Sequence, residues 1–95
     1  MERKRNRLEI IRDILLVIRN KNGKIKPTQI LFKSNLSHIM MKEYLAELIG
    51  KKFIEEISSD GKKTYRITQK GMDYLNEFGN ISSFIESFGL SSENN

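Results

Sequence analysis

Most of the chemistry this chain offers is carried by its cations. Residues 1–52 hold thirteen Lys and Arg against five Asp and Glu, and residues 53–95 hold four against seven, so a net +8 faces a net −3. Arg3, Lys4, Arg5 and Arg7 open the chain, Lys33 and Lys42 follow, and Lys62-Lys63 form a pair within the acidic half. Basic side chains segregated in this way make one face for phosphates and leave the other to water or a partner. A basic surface that only keeps the chain soluble is the plain alternative, and the uneven placement weighs against it.

Catalysis has no comparable support. No nucleophile has a base partner at a workable position, no glycine-rich phosphate loop is present, and the six glycines sit mostly at the ends of elements. With no cysteine and a single histidine, His38, disulfides and thiolate metal sites are excluded, and zinc would have to draw its other ligands from carboxylates. Neither enzymatic activity nor a metal or other cofactor is expected.

Ninety-five residues make one small domain. At 38% hydrophobic and 31% charged residues the chain is too apolar for a disordered tail and too charged for a membrane protein. The run Ile14-Leu15-Leu16-Val17-Ile18 is too short for a targeting or spanning segment and is bounded by Arg12, Asp13 and Arg19. A cytoplasmic protein is expected, without membrane partners.

The elements that must position the cations follow from periodicity and punctuation. Leu8, Ile11, Ile14, Leu15 and Ile18 mark an amphipathic helix over 3–21, stopped by Asn20-Lys21-Asn22-Gly23. Lys24-Ile25-Lys26 is a short extended piece, and Pro27 opens a second helix over 27–33. Ser34-Asn35-Leu36-Ser37 reads as a tight turn, with Ser37 the N-cap of a third helix over 38–50 that buries Met41, Tyr44, Leu45 and Leu48. Strands at 53–57 and 64–67 flank Asp60-Gly61, a strong hairpin signal, though poor alternation in the first predicts a bulge or a late start. Thr68 caps a fourth helix bearing Met72, Tyr74, Leu75 and Phe78, and Gly71 in it implies close approach to a neighbour. Gly79-Asn80 is expected to break that helix, leaving a separate amphipathic helix within 80–90 and a flexible polar tail at 91–95.

The fold class is therefore α+β, mostly helical: a winged helix-turn-helix over 1–79 with a short extra C-terminal helix. In this arrangement the third helix fits the major groove of duplex DNA, and its first residues reach base edges. Those residues are Ser37, His38 and Lys42, with Lys33, Ser34 and Asn35 in the turn before them. Lys62 and Lys63 at the hairpin tip would touch the backbone or minor groove, and Arg3, Lys4 and Arg5 add phosphate contacts.

Several short stretches carry a resemblance. Arg7-Leu8-Glu9-Ile10-Ile11 with Ile14-Leu15, Thr28-Gln29-Ile30, Ser34-Asn35-Leu36-Ser37, Lys42-Glu43-Tyr44-Leu45 with Leu48, Thr64-Tyr65-Arg66-Ile67-Thr68 and Lys70-Gly71 occur in order over residues 3–78. In this the chain resembles the small archaeal winged-helix DNA-binding proteins found with chromatin in thermophilic archaea. The resemblance implies a non-enzymatic, nucleoid-associated regulator that binds duplex DNA as a homodimer, and it adds Thr28 and Gln29 to the DNA-facing residues. Those proteins extend the fourth helix into a long antiparallel coiled coil, from which the expected break at Gly79-Asn80 departs. Phe78, Ile81, Phe84, Ile85 and Phe88 are the expected dimer interface, because so small a core leaves them uncovered; folding back onto their own domain is the alternative. A winged helix that binds protein rather than DNA is the rival function, and RNA binding a weaker third for want of an evident aromatic stacking platform.

Overall fold

Asn6 starts the first helix through a reciprocal cap: its Oδ1 accepts from the Glu9 amide at 2.8 Å, and its own amide donates to Glu9 Oε1 at 2.9 Å. The computed structural model describes residues 5–90. Its order is α1 (Arg7–Asn20), α2 (Pro27–Ser34), α3 (His38–Gly50), β1 (Ile54–Ser59), β2 (Lys62–Ile67) and α4 (Gln69–Ser87). The helix expected from residue 3 therefore begins at Arg7, since the cap holds Asn6 in an extended conformation. The tail at 91–95 lies outside the described residues.

The α1 stripe of Ile10, Ile11, Ile14, Leu15 and Ile18 packs against Ile30 and Leu36, against Met41, Leu45 and Leu48 of α3, and against Ile25, Ile54, Tyr65 and Ile67 of the sheet. The expected strand at 24–26 is a single bridge, Ile25 to Tyr65, reinforced where the Gly23 amide donates to the Tyr65 carbonyl at 2.9 Å. Asn22 Oδ1 accepts from the Ile67 amide at 2.9 Å. The α1–α2 connection is thus tied to the free edge of β2.

Between α2 and α3, Asn35 adopts a left-handed φ of 54°. This lets the Leu36 amide return to the Leu31 carbonyl at 3.1 Å and closes α2. Ser37 then starts α3, its Oγ accepting from the Met40 amide at 3.1 Å. At the far end Lys52 takes a φ of 68°, and the Phe53 amide caps α3 on the Leu48 carbonyl at 2.9 Å. Phe53 is used in that closure, so β1 starts late, at Ile54, and no bulge is needed. The register runs unbroken from Ile54 opposite Ile67 to Ser59 opposite Lys62, and Asp60 and Gly61, both at positive φ, make the two-residue turn.

Thr68 caps α4 from the Gly71 amide at 3.2 Å and donates its hydroxyl to the Lys52 carbonyl at 2.7 Å. A methyl on Gly71 would lie 2.5 Å from the Phe53 carbonyl oxygen and 2.6 Å from a side-chain carbon of Ile67, so this is the close approach that Gly71 implied. Gly71→Ala is expected to cost about 1–3 kcal/mol through overpacking, read as a lower melting temperature; unchanged stability would contradict this packing.

The break expected at Gly79-Asn80 does not occur. α4 runs through both residues to Ser87, and residues 80–90 hold its continuation rather than a separate helix. A glycine inside a helix costs only about 1 kcal/mol relative to alanine and an asparagine less, so two such residues do not outweigh the hydrogen bonds kept by continuing. Asn80 also lies 3.5 Å from Glu77 Oε1 through its Nδ2. Among the described residues no helix is long and apolar enough to cross a membrane.

Candidate nucleic-acid interface

Turning Met41, Leu45 and Leu48 into the core leaves Ile39, Glu43 and Ala46 exposed on the opposite side of α3 and His38 and Lys42 exposed on its flank. Between α3 and the hairpin lies a shallow groove of about 350 Å³, lined among others by Pro27, His38, Lys42, Ala46, Lys63 and Tyr65. The structure thus brings three of the expected contacts, His38, Lys42 and Lys63, to one groove. Lys62 lies exposed at the hairpin end, and Thr28, Lys33 and Asn35 are exposed on α2 and the turn.

Lys33, Lys42 and Lys62 have no ion pair among the described residues, as is true also of Arg19, Lys21, Lys24, Lys26, Lys52 and Lys70, whereas Arg5, Arg7, Arg12, Lys51 and Arg66 all do. Lys63 is intermediate, with its Nζ 4.0 Å from Glu56. The Tyr65 hydroxyl donates to the same carboxylate at 3.4 Å; burial, then the Glu56 charge, raises the Tyr65 pKa.

Four expected contacts are altered by packing. Ser34 is only 1% exposed, so it cannot meet DNA: it lies one turn after Ile30 and continues the buried stripe of α2 before Asn35 bends the chain away. Arg5 Nη1 pairs with Asp13 at 2.7 Å and its Nη2 donates to the Asn35 carbonyl at 3.1 Å. It fastens the chain ahead of α1 to the turn, with its charge already countered. Gln29 is half-buried and its Oε1 accepts from the Lys26 amide at 3.0 Å, capping α2. Ser37 stays exposed, with its oxygen accepting from Met40 and its hydroxyl hydrogen left to donate. Arg3 and Lys4 lie outside the described residues.

Arg7 forms an ion pair with Glu47, which Lys51 joins at 2.8 Å. The bond from Lys51, then that from Arg7, holds the Glu47 carboxyl below its usual pKa, so what this cluster contributes is present above the ordinary carboxylate pKa and is lost as pH falls through the lowered one. Ile39, Glu43 and Ala46 were absent from the residues expected to face DNA, although the period that buries Met41 and Leu45 already sets them opposite the core.

The far half of α4 is a second exposed feature. Ile81, Phe84 and Phe88 are exposed, the last two at 60% and 67%, and Ile85 is half-buried. Phe84 and Phe88 touch each other, with ring centroids 4.9 Å apart. Phe78 does not join this stripe: it stacks on Tyr74 at 6.2 Å beneath the Arg12 guanidinium at 5.0 Å. The Tyr74 hydroxyl in turn donates to the Leu8 carbonyl at 2.8 Å, so this stretch of α4 is docked on α1.

A family model described as winged helix-turn-helix matches residues 4–86. The chain belongs to this family. Its winged-helix fold is also that of Sso10a-2, a DNA-binding protein from Sulfolobus solfataricus, with a TM-score of 0.73, 21% identity, and coverage of 94% of this chain and 90% of that one. The likeness to small archaeal winged helices read from the motifs is borne out there. MepR of Staphylococcus aureus in a complex with DNA aligns at a TM-score of 0.67 and 19% identity, over 90% of this chain and 66% of that one. The multiple antibiotic-resistance repressor MarR of Listeria monocytogenes aligns at 0.67 and 15%, over 90% and 61%. This winged helix thus spans under two thirds of the length of those two regulators. No curated protein sequence matches the chain.

Proposed function

We propose that this winged helix is a non-catalytic, nucleoid-associated regulator of transcription that binds duplex DNA as a homodimer, with α3 in the major groove and the wing on the backbone. The observation that carries the reading is Lys42, exposed and without an ion pair among the described residues, beside His38 in the groove shared with Lys63; Lys33 on α2 and Lys62 on the hairpin are exposed as well. That Sso10a-2 is a DNA-binding protein and MepR has been seen with DNA supports it. Phe32 is the one strongly exposed aromatic of α2 and α3 among the described residues, at 79%, and a single ring is not the row of rings on which single strands stack. Affinity for duplex DNA should fall steeply with salt, since each phosphate neutralised releases counterions and contributes about 0.9 to the log–log slope. Replacing Lys62 and Lys63 by Ala should flatten that slope and weaken binding to all sequences alike. Binding that is absent at low salt, or indifferent to salt, would favour the protein-interaction alternative.

The dimer forms in this reading through the far half of α4. Ile81, Phe84, Ile85 and Phe88 recur at three- and four-residue steps, the spacing of a seam between two helices, and each exposed member would contribute on the order of 1.5–3 kcal/mol when covered, before association costs. A second copy supplies the same apolar seam in return, which a twofold axis requires. The continuous α4 favours this over a tail folded back on its own domain, because no turn is present to reverse it.

A further inference from the structure

Two side chains on the outward face of α3 are not explained by phosphate binding. Ile39 is 70% exposed. Glu43, one turn later, is exposed and has no ion pair among the described residues. Arg7 lines the same small depression as Glu43 but is taken by Glu47. A branched aliphatic group gains nothing from a phosphate, and a carboxylate is repelled by one. Both project from the side opposite Met41, Leu45 and Leu48, with Lys42 toward the wing and the small Ala46 one turn beyond Lys42 adding little bulk.

The major groove presents one apolar feature, the C5-methyl of thymine, and two amino donors, N6 of adenine beside its N7 acceptor and N4 of cytosine, of which the second is the usual partner of a carboxylate. Four residues of helix span about 6 Å, close to two base-pair steps at about 3.4 Å each. We infer that Ile39 and Glu43 are the specificity-determining pair of α3, Ile39 seated on a thymine methyl and Glu43 accepting from a cytosine amino group about two steps away. Where guanine or thymine takes the place of cytosine, Glu43 meets an acceptor edge, and at adenine an amino group beside the N7 acceptor, so its charge also lowers binding to mismatched DNA. This inference rests on the reading of the chain as a duplex-DNA binder and deepens it.

The test is a selection from random duplexes with the intact chain, followed by affinities on the selected site. Replacing its thymine by uracil removes one methyl group and nothing else. The chain should then bind about fourfold more weakly, the factor that corresponds to about 0.8 kcal/mol for one buried carbon. Ile39→Ala should bind thymine and uracil forms equally. Glu43→Gln should move the preference at its position from cytosine to adenine, whose N6 and N7 suit a glutamine. Both positions are exposed, so the variants should fold as the parent does. Salt-dependent binding with equal affinity for thymine and uracil, or a Glu43→Gln variant that still prefers cytosine, would overturn this inference and leave the DNA reading standing. No binding to any duplex at low salt would overturn both.

Discussion

Replacing Phe84 and Phe88 together by Glu is expected to leave a folded monomer that binds DNA about a hundredfold or more weakly than the parent. The two rings touch each other, are largely exposed, and stand beyond Phe78, where α4 is docked on α1. Charging them removes nothing from the core, so the melting behaviour of the isolated domain should barely change. It places four carboxylates at a twofold interface, which no apolar seam accommodates. Two linked recognition surfaces gain about 10²- to 10⁴-fold in avidity over one, and that gain disappears with the dimer. Sedimentation at micromolar concentration, paired with DNA titration, reads both effects. A parent that sediments as a monomer, or a double variant that still dimerises, would contradict the assigned interface.

Lys42→Glu is expected to produce the largest loss of any single change on α3. Lys42 lines the groove shared with the wing and has no ion pair among the described residues. A charge-assisted hydrogen bond contributes about 1.5–3 kcal/mol, and a twofold dimer loses it twice, so the fall should be about 10²- to 10⁴-fold across all sequences. Raising salt should narrow the gap between parent and variant, because screening weakens both the lost attraction and the new repulsion. Arg66→Ala serves as the control, since Arg66 is already paired across the strands with Glu55 at 2.8 Å. Equal losses from the two substitutions would mean that general charge, rather than the α3 face, governs binding.

Much of this layout is legible in the sequence because it is set locally. The stripe Ile11-Ile14-Leu15-Ile18, Pro27 at the start of α2, Ser37 and Thr68 as caps, and Asp60-Gly61 at the turn each act within a few residues, and each stands where its chemistry points. What was not legible depends on distance or on sums. Arg5 meets the carbonyl of Asn35, thirty positions away, and nothing near Arg5 marks it as a clasp rather than a phosphate contact. Ser34 looks like a polar turn residue until the turn is seen to begin after it, which leaves its side chain on the buried stripe. Gly79 and Asn80 are weak helix formers, but their cost is small against a helix already nucleated and docked on one side. Ile39 is not marked for another reason: an exposed aliphatic carries none of the charge that points to a phosphate, although helical period alone places it opposite the core.

Backbone amide mapping of the isotope-labelled chain during titration with a short duplex tests most directly whether DNA binds where α3 and the wing put it. Perturbations are predicted at Thr28, His38, Ile39, Lys42 and Ala46 and around the hairpin turn at Asp60 to Lys63. They should disappear together as salt is raised, and Ile81 to Phe88 should stay unmoved throughout. Perturbations centred on α1 or the far half of α4, with α3 silent, would contradict a DNA-reading third helix.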